Sequence, residues 1–269
     1  MQKLVVKKIE LVRRLRHKLE EGGYSTGTWM QLPCADIAEI LSSGPFDWVA
    51  VDWEHGSFDI ETLSGIFRAV EINDCLPFVR LPRADEAYCK WALDAGAVGL
   101  IIPMIRSVEE VRKAISWSAW PESGARGVGF SRANLYGADF DAYKTLASAP
   151  FIVPIIENTD ALSSLRDIAQ IPGVDALFVG PYDLSASLGC MGDFDNKSFV
   201  SAMESISTTC RDLNKPFGVH VVNADPKELL SVQKMSYRFN AYSMDTVMLG
   251  AQIRQLEKAK VMFAESQAD

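Results

Sequence analysis

Trp48-Val-Ala-Val-Asp52-Trp-Glu54-His55 joins a run of apolar, β-favouring residues to two carboxylates and an imidazole. A buried strand that runs into such groups is unfavourable unless they find partners. At the rim of a parallel sheet, polar strand ends are where chemistry is done. Of the three histidines, His17, His55 and His220, His55 is the one flanked by acids.

Working outward, the same alternation recurs along the chain. Buried strands are expected over 28–32, 48–53, 76–81, 99–105, 151–156, 176–180, 217–222 and 239–244. Helices are expected over 35–42, 60–72, 85–95, 108–119, 161–171, 197–213, 226–235 and 246–265. The strands are continuous Val, Ile, Leu and Phe runs, as in a parallel sheet covered on both faces. Eight strand–helix units predict a (β/α)8 TIM barrel, with an open doubly wound sheet as the alternative. Ahead of it, Leu4, Val5, Ile9, Val12, Leu15 and Leu19 fall at helical spacing and Gly22-Gly23 stops them. This gives an N-terminal helix in 1–23 that covers the barrel bottom, and one barrel domain over 24–269 that ends in a long C-terminal helix. The segment 121–143, rich in Gly and Arg, breaks the regular spacing and reads as a functional loop or lid.

Composition narrows the function. The net charge of −8 argues against a nucleic-acid partner. No apolar run reaches the ~20 residues of a membrane span. Residues 1–21 lack the apolar centre of a secretory signal, and Glu10, Glu20 and Glu21 with no Ser argue against a transit peptide. The five cysteines, Cys34, Cys75, Cys89, Cys190 and Cys210, form no C-x-x-C pair or zinc spacing and read as reduced thiols of a cytoplasmic protein.

In a barrel the catalytic groups stand at the C-terminal strand ends. Here those ends supply Asp52, Glu54 and His55; Arg80 and Arg83; Met104 and Arg106; Glu157 and Asn158; Tyr182 and Asp183; His220 and Asn223; and Asp245. Glu157 and Asp183 end adjacent strands. Each alone equally suits a helix cap or a partner for Arg80 or Arg106. As neighbours they repel unless a cation lies between them, and two carboxylates with substrate and water oxygens suit Mg²⁺ or Mn²⁺. Imine chemistry needs a buried lysine, yet none of the thirteen lysines falls inside a strand or at its upper end. Gly127-Val-Gly129-Phe-Ser-Arg132 lacks the third glycine of a dinucleotide loop and follows no strand. Arg126 and Arg132 read as solvated charges, as holders of an anionic substrate tail, or as bridges to a neighbouring subunit.

Phe46-Asp-Trp-Val-Ala-Val-Asp52-Trp-Glu54-His55, Val79-Arg80, Leu93-Asp94-Ala-Gly-Ala, Ile102-Pro-Met104, Arg126-Gly-Val-Gly129, Ile156-Glu157 and Phe178-Val-Gly-Pro-Tyr-Asp183-Leu-Ser, in that order, resemble the HpcH/HpaI family of metal-dependent class II pyruvate aldolases. Its members include 2,4-dihydroxyhept-2-ene-1,7-dioate and 2-keto-3-deoxy sugar acid aldolases. The resemblance implies a carbon–carbon lyase that splits a 4-hydroxy-2-keto acid to pyruvate and an aldehyde. It implies Glu157 and Asp183 as ligands of Mg²⁺ or Mn²⁺, with Co²⁺ a further candidate. It makes His55 the base with Asp94 raising its basicity, sets Arg80 against the enolate, and brings the Tyr182 backbone to the pyruvate carboxylate. Asp52, Arg83, Arg126 and Arg132 are candidates for supporting the site or binding the acceptor. It also implies a homo-oligomer, a hexamer built as a trimer of dimers that exchange their last helix, which Leu249, Ile253, Leu256 and Met262 suit.

One position departs from the family pattern. Gln is common two residues before the metal-binding Glu, and here that residue is Ile155. Period two puts Ile155 and Glu157 on one face, so Ile155 is expected in the substrate pocket without a polar contact. The competing functions are a CoA-ester lyase of the citrate lyase β or malyl-CoA type, and a barrel that binds a keto acid without catalysis.

Overall fold

In the computed structural model, which describes residues 4–266, eight parallel strands close into a barrel in chain order, the last pairing with the first. They are β1 (Ser25–Met30), β2 (Trp48–Asp52), β3 (Leu76–Arg80), β4 (Gly99–Ile102), β5 (Phe151–Ile156), β6 (Leu177–Val179), β7 (Phe217–Val221) and β8 (Phe239–Met244). The helices are α1 (Leu4–Glu20), α2 (Ala35–Ser42), α3 (Ile60–Glu71), α4 (Glu86–Ala95), α5 (Val108–Ser118), α6 (Phe140–Ser148), α7 (Thr159–Ser163), α8 (Leu165–Gln170), α9 (Pro181–Ser187), α10 (Lys197–Asp212), α11 (Pro226–Lys234) and α12 (Asp245–Ser266). The closed barrel is the fold expected from the strand–helix alternation, and closure rules out the open sheet.

The register follows from side-chain size. Gly27 of β1 pairs with Trp48 of β2, and a Cβ on Gly27 would fall 2.0 Å from the indole. This close approach places β1 over 25–30 rather than 28–32. The Trp48 ring stacks at 4.9 Å on Phe239 and 5.4 Å on Phe78, and Phe151 joins them at 5.8 Å from Phe239. These rings fill the lower interior. Val5, Ile9, Val12, Leu15 and Leu19 of α1 pack into the same cluster and close the bottom, as the amphipathic spacing predicts. Each such side chain contributes roughly 1.5–3 kcal/mol relative to exposure.

The segment 121–143 is not a lid over the rim. It carries a 3-10 turn (Arg132–Gly137) and leads into α6, whose Phe140, Tyr143, Leu146 and Ala147 fall at helical spacing although no helix is expected there. Ala133, Tyr143, Leu146 and Ala147 are buried in the cluster that holds α1, so the segment lies against the closed end of the barrel. Arg132 donates to both Glu71 carboxylate oxygens and to the Ala95 carbonyl, and Lys8 of α1 lies 3.1 Å from the same Glu71. The three charges are nearly buried and tie α1, α3 and the 3-10 turn together.

The cysteines are free thiols, with Cys75, Cys89 and Cys210 buried. Among the described residues no helix is long and apolar enough to cross a membrane. On α12, Leu249, Ile253 and Leu256 remain exposed, while the Met262 side chain lies outside the described residues.

Candidate active site

β2 ends at Asp52, and the chain turns at once. The Gly56 N–H donates to the Asp52 carbonyl at 2.9 Å, and the His55 N–H to the Asp52 carboxylate at 3.2 Å. Asp52 and Arg80 are register partners on β2 and β3. Both point inward, and Arg80 donates to both oxygens of Asp52, from Nε at 2.9 Å and Nη2 at 2.7 Å. Gln31 donates a further bond at 2.9 Å. Burial works to raise the Asp52 pKa, but the Arg80 bonds and charge outweigh it and hold the carboxyl below its ordinary value. Arg80 also reaches Glu54 at 3.2 Å and lies over the Trp29 ring, 4.7 Å from its centroid. A carboxylate locks the guanidinium from behind, and an aromatic face supports it.

Across the rim, Glu157 follows β5 and is 4% exposed. One of its oxygens accepts the Met104 N–H, from a residue held at a φ of 55°. Burial, followed by the charges of Glu54 and Asp183, pushes its carboxyl up to about 7. Gly180, after β6, lies so close that a Cβ there would be 2.7 Å from the other Glu157 oxygen. Asp183 stands in the first turn of α9, after Pro181 has set the helix start, and its carboxylate is exposed.

Glu157, Asp183, Arg80, Tyr182 and Ile155 line one cavity of about 1080 Å³ with Trp29, Phe178 and His220. Ile155 is 2% exposed and forms part of the apolar wall, as its parity with Glu157 predicts. Tyr182 is exposed, with its ring 5.1 Å from Phe194. His55 stands outside the lining with its imidazole 63% exposed, and its Nε2 is 3.9 Å from Glu54.

The structure does not bring Asp94 to His55. Asp94 is in the last turn of α4, which runs back from the rim. Nine residues past the N-cap Asp85, it lies roughly 13 Å down the helix at ~1.5 Å per residue. Burial raises its pKa, opposed by the charges of Arg126 and Lys90. Within one chain the acids near His55 are therefore its sequence neighbours, Asp52 and Glu54.

Arg126 and Arg132 are likewise remote from the rim and bind no acceptor there within the chain. Arg126 is 1% exposed, donates to the Tyr143 hydroxyl at 3.1 Å, and lies over the Trp120 and Tyr143 rings. Arg132 belongs to the Glu71 cluster. Arg83 is solvated, 3.5 Å from Asp85. His220, expected among the strand-end groups, lines the cavity, and Trp29, Gln31 and Gly180 complete the site without having been singled out for it. Each of these three reads in sequence as strand interior or turn, and only the alternation of inward positions marks Trp29.

Similar proteins share this frame. The HpcH/HpaI aldolase/citrate lyase family profile matches residues 25–250. The chain is 31% identical over 231 residues to a 2-dehydro-3,6-dideoxy-6-sulfogluconate aldolase of Pseudomonas putida, covering 86% of this chain and 90% of that one. It is 38% identical over 186 residues to a 4-hydroxy-2-oxovalerate aldolase of Novosphingobium aromaticivorans, covering 67% and 70%. The crystal structure of an HpcH/HpaI aldolase/citrate lyase family protein from Burkholderia cenocepacia J2315 superposes with a TM-score of 0.85 at 30% identity, over 92% of this chain and 99% of that one. With the barrel, the ordered strand-end residues and the family profile in agreement over most of its length, the chain belongs to the HpcH/HpaI aldolase/citrate lyase family.

Proposed function

We propose that the protein is a metal-dependent aldolase that reversibly cleaves a 4-hydroxy-2-keto acid to a pyruvate-type keto acid and an aldehyde. The observation that carries this reading is the meeting of Glu157 and Asp183 with the locked guanidinium of Arg80 in one cavity. The donor set fits a hard divalent ion such as Mg²⁺ or Mn²⁺. Glu157 is nearly buried with Glu54 and Asp183 beside it, and burial and those acids outweigh the Met104 N–H and Arg80 to push its carboxyl up to about 7, a balance that a divalent cation would reverse. Among the described residues no group of three or more His, Cys, Asp or Glu side chains gathers to hold an ion. Glu157 and Asp183 would therefore share it with water and substrate oxygens. When bound, the ion would polarise the keto group as a Lewis acid.

The chain's own groups then have distinct tasks. Arg80 meets the negative charge that develops on the keto oxygen as the bond breaks, and it needs no reorientation because Asp52 already fixes its plane. His55, at the mouth, takes the 4-hydroxyl proton in cleavage and returns it in condensation. Glu54, rather than Asp94, is the acid that supports it within one chain. The Tyr182 backbone is the candidate contact for the keto-acid carboxylate. The exposed apolar residues of α12 support a homo-oligomer built through that helix, and the free thiols support a cytoplasmic setting.

Cleavage of 4-hydroxy-2-oxopentanoate, followed by a coupled assay for pyruvate, tests the reading. Activity is expected with Mg²⁺ or Mn²⁺ and lost with chelator. His55→Ala should lower it by roughly 10²–10⁴-fold while calorimetric metal affinity is retained. Full activity in chelator, or loss of metal binding with His55, would contradict these assignments.

A further inference from the structure

Beneath the reacting groups, one imidazole has no part in the scheme above. His220 points inward from β7, half-buried, and lines the cavity with Trp29, Ile155 and Phe178. Its Nε2 is 3.0 Å from the Ser243 carbonyl oxygen. A carbonyl can only accept, so Nε2 carries the proton and Nδ1 keeps its lone pair. Ser243 is held at a φ of 52°, at the irregularity where β8 passes β1, so the carbonyl that sets the tautomer belongs to a fixed bend. No hydrogen bond to Nδ1 is present among the described residues. Burial, with Arg80 nearby, pushes the imidazole down to about 4, and it stays neutral.

The surroundings give this acceptor its meaning. Ile155 and Phe178 offer no polar atom. The Trp29 ring lies 5.7 Å from His220, and its indole N–H is buried without a hydrogen-bond partner. Such a floor discriminates among substrates. A methyl group leaves the Nδ1 lone pair unmatched. A carboxylate sets lone pairs against a lone pair. A hydroxyl donates to it.

In the proposed reaction the keto acid is held between Arg80 and the Glu157–Asp183 pair, which line the cavity with His220, whereas His55 stands exposed outside that lining and faces the aldehyde. A group that reaches the floor therefore belongs to the keto acid. We propose that His220 Nδ1 accepts a hydrogen bond from a hydroxyl on C3 of the nucleophilic keto acid, which makes the favoured nucleophile a 3-hydroxy-2-keto acid. This rests on the aldolase reading above. The hydroxyl is a spectator. The C3–H proton leaves, C3 bonds to the aldehyde carbon, the aldehyde oxygen gains a proton, and the product is a 3,4-dihydroxy-2-keto acid.

The test compares hydroxypyruvate with pyruvate on the metal-loaded enzyme, by deuterium exchange of the C3 protons in D2O and by the ¹⁵N spectrum of its three histidines. Hydroxypyruvate should exchange with the higher kcat/KM and shift the Nδ1 resonance of His220, while pyruvate leaves that resonance in place. His220→Leu should lower the hydroxypyruvate-to-pyruvate ratio about tenfold, the size of one net hydrogen bond. His220→Gln, which retains an acceptor, should restore part of it. If wild type favours pyruvate, or if both variants change the two substrates in parallel, the His220 assignment is overturned and the aldolase reading stands. If neither keto acid exchanges, the aldolase reading fails and this assignment fails with it.

Discussion

Asp52 shows how a single buried carboxylate organises this site. It is 1% exposed and accepts from Arg80 through both oxygens, from Gln31 and from the His55 backbone. Its pKa is depressed in the fold, so its stabilising contribution is complete above the ordinary carboxylate value of 3.8. That contribution is lost as the pH falls through the depressed value. Asp52→Asn should therefore cost about 1–3 kcal/mol at neutral pH by removing the charge-assisted bonds to Arg80, which keeps only Glu54 as an acidic partner, and the gap from wild type should narrow below pH 3.8. Urea titrations at several pH values measure this, and a gap that widens on acidification would contradict it. Asp52, Arg80, Glu157 and Asp183 were legible in the sequence because a charged residue at the end of an apolar run is unusual. Trp29 was not, because an aromatic ring inside a strand reads as core until the opposite wall is known.

At the level of elements, the strands were legible because burial on both faces writes a continuous apolar run. β8 forms at the expected 239–244 in spite of its polar residues, since the Asn240 side chain accepts the Val219 N–H and donates to the Tyr237 carbonyl. Helix direction was the harder matter. The family resemblance pairs Asp94 with His55, but within one chain α4 carries it down the barrel wall towards Arg126. The same return of the chain puts Arg132 beneath the barrel, where it shares Glu71 with Lys8. Glu71→Ala would strand two nearly buried cations. A loss of about 3–5 kcal/mol, or roughly 10 °C in Tm, is expected in thermal melts, with KM unchanged because the rim is untouched. A Tm near that of wild type would show that the cluster is solvated.

For the whole molecule, the described residues of α12 include a set of exposed apolar side chains. Leu249, Ile253, Leu256 and Phe263 are 47%, 65%, 59% and 68% exposed. Exposed apolar side chains grouped on one helix are the kind of surface through which subunits associate, and the proposed homo-oligomer would use them. Light scattering on the eluting protein should give an oligomer, and Ile253→Glu with Leu256→Glu should reduce it to smaller species. A monomeric wild type would leave the exposed helix without an explanation.

The central claim is that Glu157, Asp183 and Arg80 together stabilise an enolate. The most direct test is proton NMR of the pyruvate methyl group in D2O, with the metal-loaded protein and no aldehyde present. The methyl signal should disappear at a rate that depends on the divalent ion, and Glu157→Gln should abolish the exchange. A methyl signal that persists with metal-saturated wild type would contradict the account.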